Sequence, residues 1–393
     1  MSAPPLTLRV VTSLSEISAR DWNACAADAE GHVDPFLDHA FFLSLEESGS
    51  AVRGTGWLGH HLVLEDAAGL VRGILPCYLK SHSRGEYVFD WGWAEAYERA
   101  GGRYYPKLQA SVPFTPATGR RLLVGAGADA ASLATMLARG ATQVADRLGV
   151  SSLHVTFCPP DDWEVFAAAG YLQRTDTQFH FLNEGYAGFD DFLAALSSRK
   201  RKVIRRERRE ALEGRGITIR HLTGRELTES VWDDFFAFYL DTGARKWGQP
   251  YLTRRFFSLI GERMADRILL IVAERAGRRI AGAINFIGRD VLYGRNWGAI
   301  EEHPFLHFEV CYYQAIDYAI AHGLRRVEAG AQGEHKLARG YRPVTTRSAH
   351  YIADPALRRA VADFLRRERA AVSDSIDALG AFTPFRKDQA EVD

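Results

Sequence analysis

Two segments of the chain, which start at Leu62 and Leu270, show the same order of features. Each predicts an apolar strand, a turn around a glycine (Gly69 or Gly277), a second apolar strand, a polar turn, and a third strand that ends in Trp-Gly. An amphipathic helix precedes each segment, and a helix leading to another strand follows it. This order predicts an α+β unit that occurs twice, with one superposable three-stranded antiparallel meander in each copy.

The length of the chain agrees with a duplicated unit. A chain of 393 residues suits two domains of similar size, each able to bury its own apolar core. The last strand of the first copy gives way to a helix near Asn183–Asp191. We therefore expect domains at 1–185 and 186–393, with a basic linking helix at about 190–213 at the start of the second half, which we expect to be the catalytic one.

The charge balance gives no sign of an obligatory polyanionic partner. Lys plus Arg and Asp plus Glu number 49 each, so the formal net charge at pH 7 is zero. The four cysteines are scattered and form no CxxC motif, which is typical of reduced, buried thiols. The sequence shows neither a secretory leader nor an apolar run of membrane-spanning length. We expect a cytoplasmic protein with no membrane span, no metal and no tightly bound cofactor.

Five stretches of the sequence carry a resemblance to a known family. They are YLKSHSRGEYVFDWGWAEAYERAG, YYPKLQASVPFTPATG, LSSRKRKVIRRERR, HPFLHFEVCYYQAI and AGAQGEHKLARGY. On these motifs the chain resembles the FemAB-like family of N-acyltransferases, which is related to the Fem-type aminoacyl-tRNA-dependent enzymes that build peptidoglycan cross-bridges. The resemblance implies two tandem GNAT-like units (the acyl-CoA N-acyltransferase fold), each a mixed, mainly antiparallel sheet flanked by helices. It also implies transfer of an acyl or aminoacyl group to an amine of a small molecule or a cell-wall precursor.

The chemistry of such a transfer requires a proton acceptor for the amine and a donor for the oxyanion that develops on the carbonyl. The segment EEHPFLHFEVCYYQAI places His307 and Glu309 at the start of a predicted helix, whose positive dipole end favours an ionised carboxylate. We predict that Glu309 and His307 are catalytic, with Glu309 as the proton acceptor. The alternative is that Glu309 is only a favourable first-turn acid. Tyr312 and Tyr313 follow at helical spacing, and we expect one of them to pack in the core rather than donate a proton.

A glycine-rich loop, Glu328–Pro343, follows the strand after this helix. In the fold that the chain resembles, that strand diverges from its neighbour and leaves a slot for the acyl group, where small residues let a ligand approach the backbone. The predicted donor-binding residues are Gln332, Gly333, Lys336 and Arg339. We expect His335 to assist proton transfer at the mouth of the slot. The alternative is a surface turn with solvated charges.

The segment before the helix departs from the usual acyl-CoA pattern. Acyl-CoA enzymes of this fold carry a glycine-rich turn there, whose amides hold the pyrophosphate, but residues 300–309 contain no glycine. Fem-type enzymes also lack this turn and use a basic residue after the next strand. The co-substrate is therefore acyl-CoA or aminoacyl-tRNA, and we expect a CoA thioester to bind weakly.

A basic run forms the other conspicuous feature of the second half. Eight of the eleven residues from Arg199 to Arg209 are basic, and an apolar stripe at helical spacing runs through the same segment. We predict that Arg201, Arg205 and Arg208 contact a polyanion such as tRNA or a phosphorylated acceptor. The alternative is a solvated helix face.

Further polar side chains at predicted strand ends are candidates for binding the acceptor. In the first half they are Lys80, His82, Asp90, Tyr104 and Lys107, and in the second half they are Asn285 and Trp297. A substrate at the ends of these strands would meet all of them. The alternative is that the aromatic members pack in the core and the polar ones support them.

Other functions are kept as alternatives. The same clefts suit a non-catalytic protein that recognises a cell-wall or amino-sugar ligand. The motif VGAGADA, Val124–Ala130, matches a dinucleotide-binding turn and keeps a dinucleotide-dependent oxidoreductase as a remote alternative. The next strand, however, ends at Cys158 where that fold requires an acid. His303 and His307 are four residues apart, yet Pro304 separates them and no third metal ligand is evident.

Overall fold

The structure of the chain is a computed structural model that describes residues 6–246, 250–330 and 333–386. The strands are β1 (Leu6–Val11), β2 (Trp57–Gly59), β3 (His61–Asp66), β4 (Val71–Leu75), β5 (Tyr78–Lys80), β6 (Lys107–Ala110), β7 (Ser152–Val155), β8 (Leu172–Leu182), β9 (Ile217–Leu222), β10 (Ile268–Arg275), β11 (Arg278–Ile287), β12 (Val291–Ala299), β13 (Arg326–Glu328) and β14 (Arg342–Ile352). The helices are α1 (Ala19–Ala26), α2 (His39–Glu47), α3 (Trp91–Arg99), α4 (Ala130–Leu148), α5 (Pro160–Ala168), α6 (Phe189–Ala195), α7 (Ser198–Leu212), α8 (Glu229–Lys246), α9 (Arg254–Met264), α10 (Leu306–Phe308), α11 (Gln314–Ala321) and α12 (Pro355–Gly380).

The chain divides into two compact units. Unit 1 comprises residues 1–176, 251–260 and 345–373, and unit 2 comprises residues 177–250, 261–344 and 374–393. The sequence predicts a single boundary at 185/186, whereas the chain here first changes unit within β8 and later returns segments to unit 1. The sequence of β8, LQRTDTQFHFL, contains no glycine or proline that would mark a boundary within the strand.

The meander predicted for the second half is present in unit 2. β9, β10, β11 and β12 pair in sequence as antiparallel neighbours. The tight turn between β10 and β11 places Ala276 and Gly277 at positive φ, as a two-residue hairpin turn requires. The six residues Ile268–Ala273 of β10 are all buried, and β11 is buried over most of its length, so the meander forms the centre of the unit 2 core.

The meander predicted for the first half is only partly correct. β3 and β4 form the expected hairpin with Gly69 at positive φ, but they belong to a separate sheet of order β1-β3-β4. β5 pairs with β2 and β6, and the segment predicted as the third strand instead contains turns and the start of α3 at Trp91. The aromatic alternation of this segment is misleading, because Tyr87 has positive φ and the carboxylates of Glu86 and Asp90 both bind the buried Lys107 ammonium.

The two units share a different element of architecture. In unit 1, α4 connects β6 to β7, and these two strands are parallel. In unit 2, α10 and α11 lie between β12 and β13, which are also parallel. A parallel pair needs such a crossover connection, whereas β2–β5, β5–β6 and β7–β14 in unit 1 and the successive pairs from β9 to β12 in unit 2 are antiparallel. The predicted α+β class with mixed, mainly antiparallel strand pairing is therefore confirmed.

The core of unit 2 leaves no room for a side chain at Gly298. A Cβ at this position of β12 would collide with the backbone of Phe238 in α8. We expect Gly298→Ala to lower the free energy of unfolding by about 1–3 kcal/mol, the range for overpacking a core. Gly188 has no neighbour in the space that a Cβ would take and has an extended backbone, so Gly188→Ala should change it by less than about 0.5 kcal/mol. Chemical denaturation measures both; equal losses would contradict the close approach of α8 to β12.

Candidate functional site

The parallel strands β12 and β13 separate soon after they meet. They pair only over Val291–Tyr293 and Arg326–Glu328, and β12 then continues to Ala299 without this partner. In the same stretch a β-bulge places Arg295 and Asn296 opposite a single residue of β11. A bulge beside a splayed strand pair redirects backbone groups and is common next to binding sites. This end of β12 is where the sequence predicts an acyl slot.

A cleft of about 660 Å³ lies at the end of β12 within unit 2. Its lining residues are Thr242, Trp297, Ala299, Glu301, Glu302, His303, Pro304, Leu306 and His307. Trp297 and His307, both predicted site residues, contact each other edge to face with ring centroids 5.3 Å apart. The imidazole of His307 therefore has both a rigid aromatic neighbour and access to the cleft.

Asn285 does not reach this cleft. Its side chain is buried and donates hydrogen bonds to the carbonyls of Leu269 (3.3 Å) and Ala283 (3.2 Å). A Cβ added to Gly294 would lie 3.3 Å from the Asn285 Oδ1 atom, which shows how closely this side chain packs on the bulged strand. The predicted acceptor contact therefore does not fit, and Asn285 instead holds the strands around the bulge.

The helix after the cleft contains a π-helical turn, Glu309–Tyr313, between α10 and α11. A π-turn carries one residue more than an α-turn and is frequent at functional sites. It turns Glu309, Val310, Tyr312 and Tyr313 into the protein interior. The sequence correctly places a helix here but gives no sign of the extra residue.

The predicted proton acceptor, Glu309, is fully buried. Its carboxylate accepts hydrogen bonds from the Arg208 guanidinium (Nη2 at 2.9 Å, Nε at 3.1 Å) and from Gln314 Nε2 (2.7 Å). Among the described residues, it does not line the cleft that His307 lines. A carboxylate held by an arginine and shielded from substrate does not fit the role of proton acceptor, so Glu309 is a structural partner of Arg208.

The other predicted catalytic histidine, His335, has an exposed side chain and a fixed partner. Its Nε2 atom lies 2.8 Å from the Tyr312 hydroxyl, and its ring centroid lies 6.4 Å from that of His307. Burial raises the pKa of Tyr312 well above its usual value, so the hydroxyl stays protonated. Tyr312 does not only pack in the core, because its hydroxyl also forms a hydrogen bond with the imidazole of His335.

Two of the predicted donor-binding residues are buried cations. Lys336 Nζ donates to the Gly330 carbonyl (3.0 Å), and burial lowers the pKa of this ammonium to about 8. Arg339 donates to Glu207 (2.9 Å) and to the His335 carbonyl (2.7 Å). Neither cation presents its charge to a phosphate on the surface, so both residues shape the loop that carries His335.

The two remaining predicted donor-binding residues are Gly333 and Gln332. Gly333 has φ 114°, and a Cβ there would collide with the His335 ring, so this position needs glycine to let the imidazole fold back over the loop. Gln332 lies outside the described residues.

The acceptor residues predicted in the first half form a buried network in unit 1. Lys107 is fully buried, and its ammonium binds Asp90, Ser83 (2.8 Å) and Glu86 (2.7 Å). The Tyr104 hydroxyl donates to the same Asp90 carboxylate at 2.7 Å. These side chains satisfy one another in the core, so direct binding of an acceptor by them does not fit the structure.

Two further residues of that prediction lie beside this network. Lys80 is fully buried, with its ammonium 3.5 Å from the Trp57 ring centroid and 3.8 Å from Glu86, and burial lowers its pKa to about 6. His82 is half-buried and lies 3.0 Å from the Thr55 carbonyl. Lys80, too, is shielded from any substrate.

The basic side chains of helix α7 point both into the protein and into solvent. Arg208 points inward, where it also pairs with Asp317 at 2.7 Å, and it therefore does not contact a polyanion as predicted. Arg205 is exposed and pairs with Asp190 at 3.1 Å, while Arg201 is half-buried. The exposed cations of the helix are Arg199, Lys202, Arg205, Arg206 and Arg209.

Two of the alternative motifs have a structural explanation. His303 Nε2 lies 2.9 Å from Glu301, and no group of three or more His, Cys, Asp or Glu side chains among the described residues is arranged to hold a metal. The segment Val124–Ala130 does not follow a strand of a parallel sheet, since Leu123 forms only an isolated bridge with Ile74. The dinucleotide motif therefore lacks the strand that it requires.

In each unit, two parallel strands are joined by a helical crossover. With the splayed, bulged end of β12 and its cleft, this architecture is that of two tandem GNAT-like units. A profile of the FemAB-like family, described as peptidoglycan biosynthesis/recognition, matches residues 13–387. The chain belongs to the FemAB-like family.

Solved structures of similar fold cover most of the chain. A crystal structure of FemX is 12% identical, covers 88% of this chain and 98% of its own, and has a TM-score of 0.53. A conserved protein of unknown function from Bacteroides thetaiotaomicron VPI-5482 is 12% identical, covers 88% of this chain and 100% of its own, and has a TM-score of 0.50. The C-terminal domain of a putative lysylphosphatidylglycerol synthetase from Agrobacterium fabrum is 10% identical, covers 89% and 94%, and has a TM-score of 0.50. At these identities the likeness concerns the fold.

A search of curated proteins finds no match to the chain. Membership in this family links the chain to peptidoglycan biosynthesis or recognition. Within the described part of the chain, no helix is long and apolar enough to cross a membrane.

The buried position of Glu309 predicts an effect of its substitution on stability. Glu309→Gln removes the fully buried ionic partner of Arg208 and leaves only the partly exposed Asp317, so we expect a loss of about 1–3 kcal/mol in the free energy of unfolding, the range for a buried group that loses its hydrogen-bond partner. Asp317→Asn is the matched control: Asp317 binds the same guanidinium but is partly exposed, so its loss should stay below about 1 kcal/mol. Urea denaturation measures both values. A stable Glu309→Gln variant that has lost only turnover would instead restore Glu309 as the proton acceptor.

Proposed function

We propose that unit 2 transfers an aminoacyl group from an ester donor, aminoacyl-tRNA, to the amine of a peptidoglycan precursor, and that the cleft at the end of β12 receives this amine. The observation that carries the proposal is the position of His307. It lines a cleft of about 660 Å³ at the point where β12 leaves its parallel partner. A concave site of this size that combines apolar walls with polar groups is the usual form of a small-molecule site.

His307 is the proton acceptor in this proposal. The attacking amine must lose its proton, and imidazole is the side chain best matched to this step near neutral pH. Trp297 fixes one side of the ring, and Tyr312 lies on another side with ring centroids 5.3 Å apart. The Tyr312 hydroxyl and the exposed His335 ring extend the cluster, so Tyr312 serves as the proton donor to the leaving oxygen and His335 exchanges protons with solvent.

The β-bulge supplies the contact for the developing oxyanion. A bulge turns backbone N–H groups out of the regular ladder, and fixed N–H groups of this kind stabilise an oxyanion without reorganisation. In β12 the bulge comprises Arg295 and Asn296, one residue before Trp297 of the cleft. We assign the oxyanion contact to the backbone N–H of Asn296, which keeps the acyl carbon next to His307.

An ester donor fits the site better than a CoA thioester. The turn before α10 contains no glycine; Phe305 takes the left-handed conformation there, and α10 itself has only three residues before the π-turn. This turn offers no bare amide cradle for a pyrophosphate. The exposed cations of α7 provide a surface for a nucleic-acid backbone instead. Aminoacyl-tRNA is a cytoplasmic donor, so we place the reaction in the cytoplasm.

The role of His307 is tested by a matched pair of substitutions. His307→Gln should lower the turnover number by about 10²- to 10⁴-fold with little change in donor binding, because a proton acceptor acts mainly in the transition state. His303→Gln is the control, since His303 lines the same cleft but binds Glu301, and its turnover should fall by less than about tenfold. The measurement is transfer of labelled amino acid from aminoacyl-tRNA to a peptidoglycan-precursor amine. Equal effects of the two variants would exclude a special role for His307.

The tRNA donor is tested on the exposed face of α7. Reversal of Arg199, Lys202 and Arg206 to Glu should weaken tRNA binding and reduce the slope of log K against log salt by about one unit per lost phosphate contact.

The matched control for this reversal carries the same charge change on α12 of unit 1, at Arg359, Arg366 and Arg367, which are also exposed. It should leave binding and slope nearly unchanged. Filter binding with total tRNA measures both constants. Tight calorimetric binding of desulfo-CoA, together with an unchanged tRNA slope, would contradict the ester donor.

A further inference from the structure

One acidic residue interrupts the basic run of α7. Glu207 is almost fully buried, while its neighbours Arg206 and Arg209 are exposed. Burying a carboxylate is costly unless it is paired and hydrogen-bonded. The partners of Glu207 therefore indicate what holds this helix face against the site.

Glu207 uses both carboxylate oxygens to connect two separate segments. Oε2 accepts a hydrogen bond from the Tyr313 hydroxyl, which belongs to the π-turn. Oε1 accepts one from Arg339 Nη2 at 2.9 Å, and Arg339 belongs to the loop that carries His335. A single carboxylate thus ties the π-turn to the glycine-rich loop.

The contacts of Arg339 complete a closed circuit. Arg339 Nη1 donates to the His335 carbonyl at 2.7 Å, and its guanidinium stacks 3.4 Å from the Phe308 ring centroid. The His335 ring then reaches back 2.8 Å to the Tyr312 hydroxyl, next to Tyr313 in the sequence. The π-turn and the glycine-rich loop are therefore joined twice, once through Glu207 and Arg339 and once through the Tyr312–His335 hydrogen bond.

We propose that Glu207, acting through Arg339, is a positioning residue that holds the His335 imidazole against the Tyr312 hydroxyl. This inference rests on the proposed function for its catalytic meaning, because the imidazole cluster is the proposed site of proton transfer. The geometry itself does not depend on the donor or the acceptor. Loss of the Glu207–Arg339 contact frees the glycine-rich loop, and the Tyr312–His335 hydrogen bond is then lost although both side chains remain.

The test follows the titration of His335 by NMR in the full chain labelled with ¹³C-histidine. The chain contains 13 histidines, and His335→Gln identifies the resonance of interest. Tyr312→Phe removes the hydrogen bond directly and should move the His335 titration midpoint by about half a pH unit or more. The double variant Glu207→Gln/Arg339→Met removes both charges together, so that no unpaired charge stays buried.

The expected result is that the double variant moves the His335 midpoint in the same direction and to a similar extent as Tyr312→Phe. Glu210→Gln is the matched control on the same helix, because the Glu210 side chain is exposed and lies 3.6 Å from Arg206. It should leave the midpoint unchanged. If the double variant does not fold, Glu207→Gln alone replaces it, since glutamine keeps the shape and removes only the charge.

Two outcomes overturn the positioning role. One is a double variant that titrates like the wild type while Tyr312→Phe is displaced, and the other is a Tyr312→Phe variant with an unchanged midpoint. In a transfer assay, the double variant should lower the turnover number by about tenfold with the KM of both substrates unchanged, as for a residue that acts through the transition state. If the His335 midpoint is displaced in the double variant but the wild type transfers no aminoacyl group, the proposed function is refuted and the positioning role remains intact.

Discussion

Two adjacent residues of opposite charge on α7, Glu207 and Arg208, fix the polar interior of unit 2. Glu207 binds Tyr313 and Arg339, and Arg208 binds Glu309 and Asp317. Because neighbouring residues on a helix point about 100° apart, one turn of α7 reaches two different parts of the site. The π-turn lies between these two contacts, and it is held from both.

This arrangement explains why the charges of the predicted site face inward. Lys336, Arg339 and Glu309 were expected to meet substrate, yet each is buried and has a partner inside the unit. Buried ion pairs add little net stability, but removal of one partner is costly, so such pairs favour one arrangement over others. Of the residues predicted for the site in unit 2, the rings of His307, Trp297 and His335 do reach the cleft or the solvent.

The sequence predicts the parts of the fold that depend on local pattern. Alternating apolar residues and the glycine turns at Gly69 and Gly277 correctly indicate the hairpins β3–β4 and β10–β11. The prediction of a third strand in the first half is wrong, although the aromatic alternation of the segment is real. The buried Lys107, many residues later, binds the two carboxylates of the segment and holds it in a turn. Contacts between residues distant in sequence decide such a segment, and local propensity does not record them.

The site shows the same division between local and distant signals. The helix start at His307 and the splayed strand after it follow from the order of elements, and the structure contains both. The buried role of Glu207 is hidden, because one acid in a basic run looks like a partner for exposed arginines at i,i+4 spacing. The π-turn is hidden as well, since a single extra residue in a helix leaves the apolar pattern almost unchanged.

Units 1 and 2 show that one architecture can carry two different interiors. Each has a parallel strand pair with a helical crossover. In unit 1, the residues at the start of the first strand of that pair, with Lys107 at the centre, form a sealed network with Asp90, Glu86 and Tyr104. In unit 2, the end of the corresponding strand carries a bulge, and aromatic and imidazole rings there border a cleft. Fold alone therefore does not locate the reaction. What distinguishes unit 2 is that Glu309, Lys336 and Arg339 have their partners behind the rings, which leaves the His307 imidazole facing the cleft beside the Glu301–His303 pair.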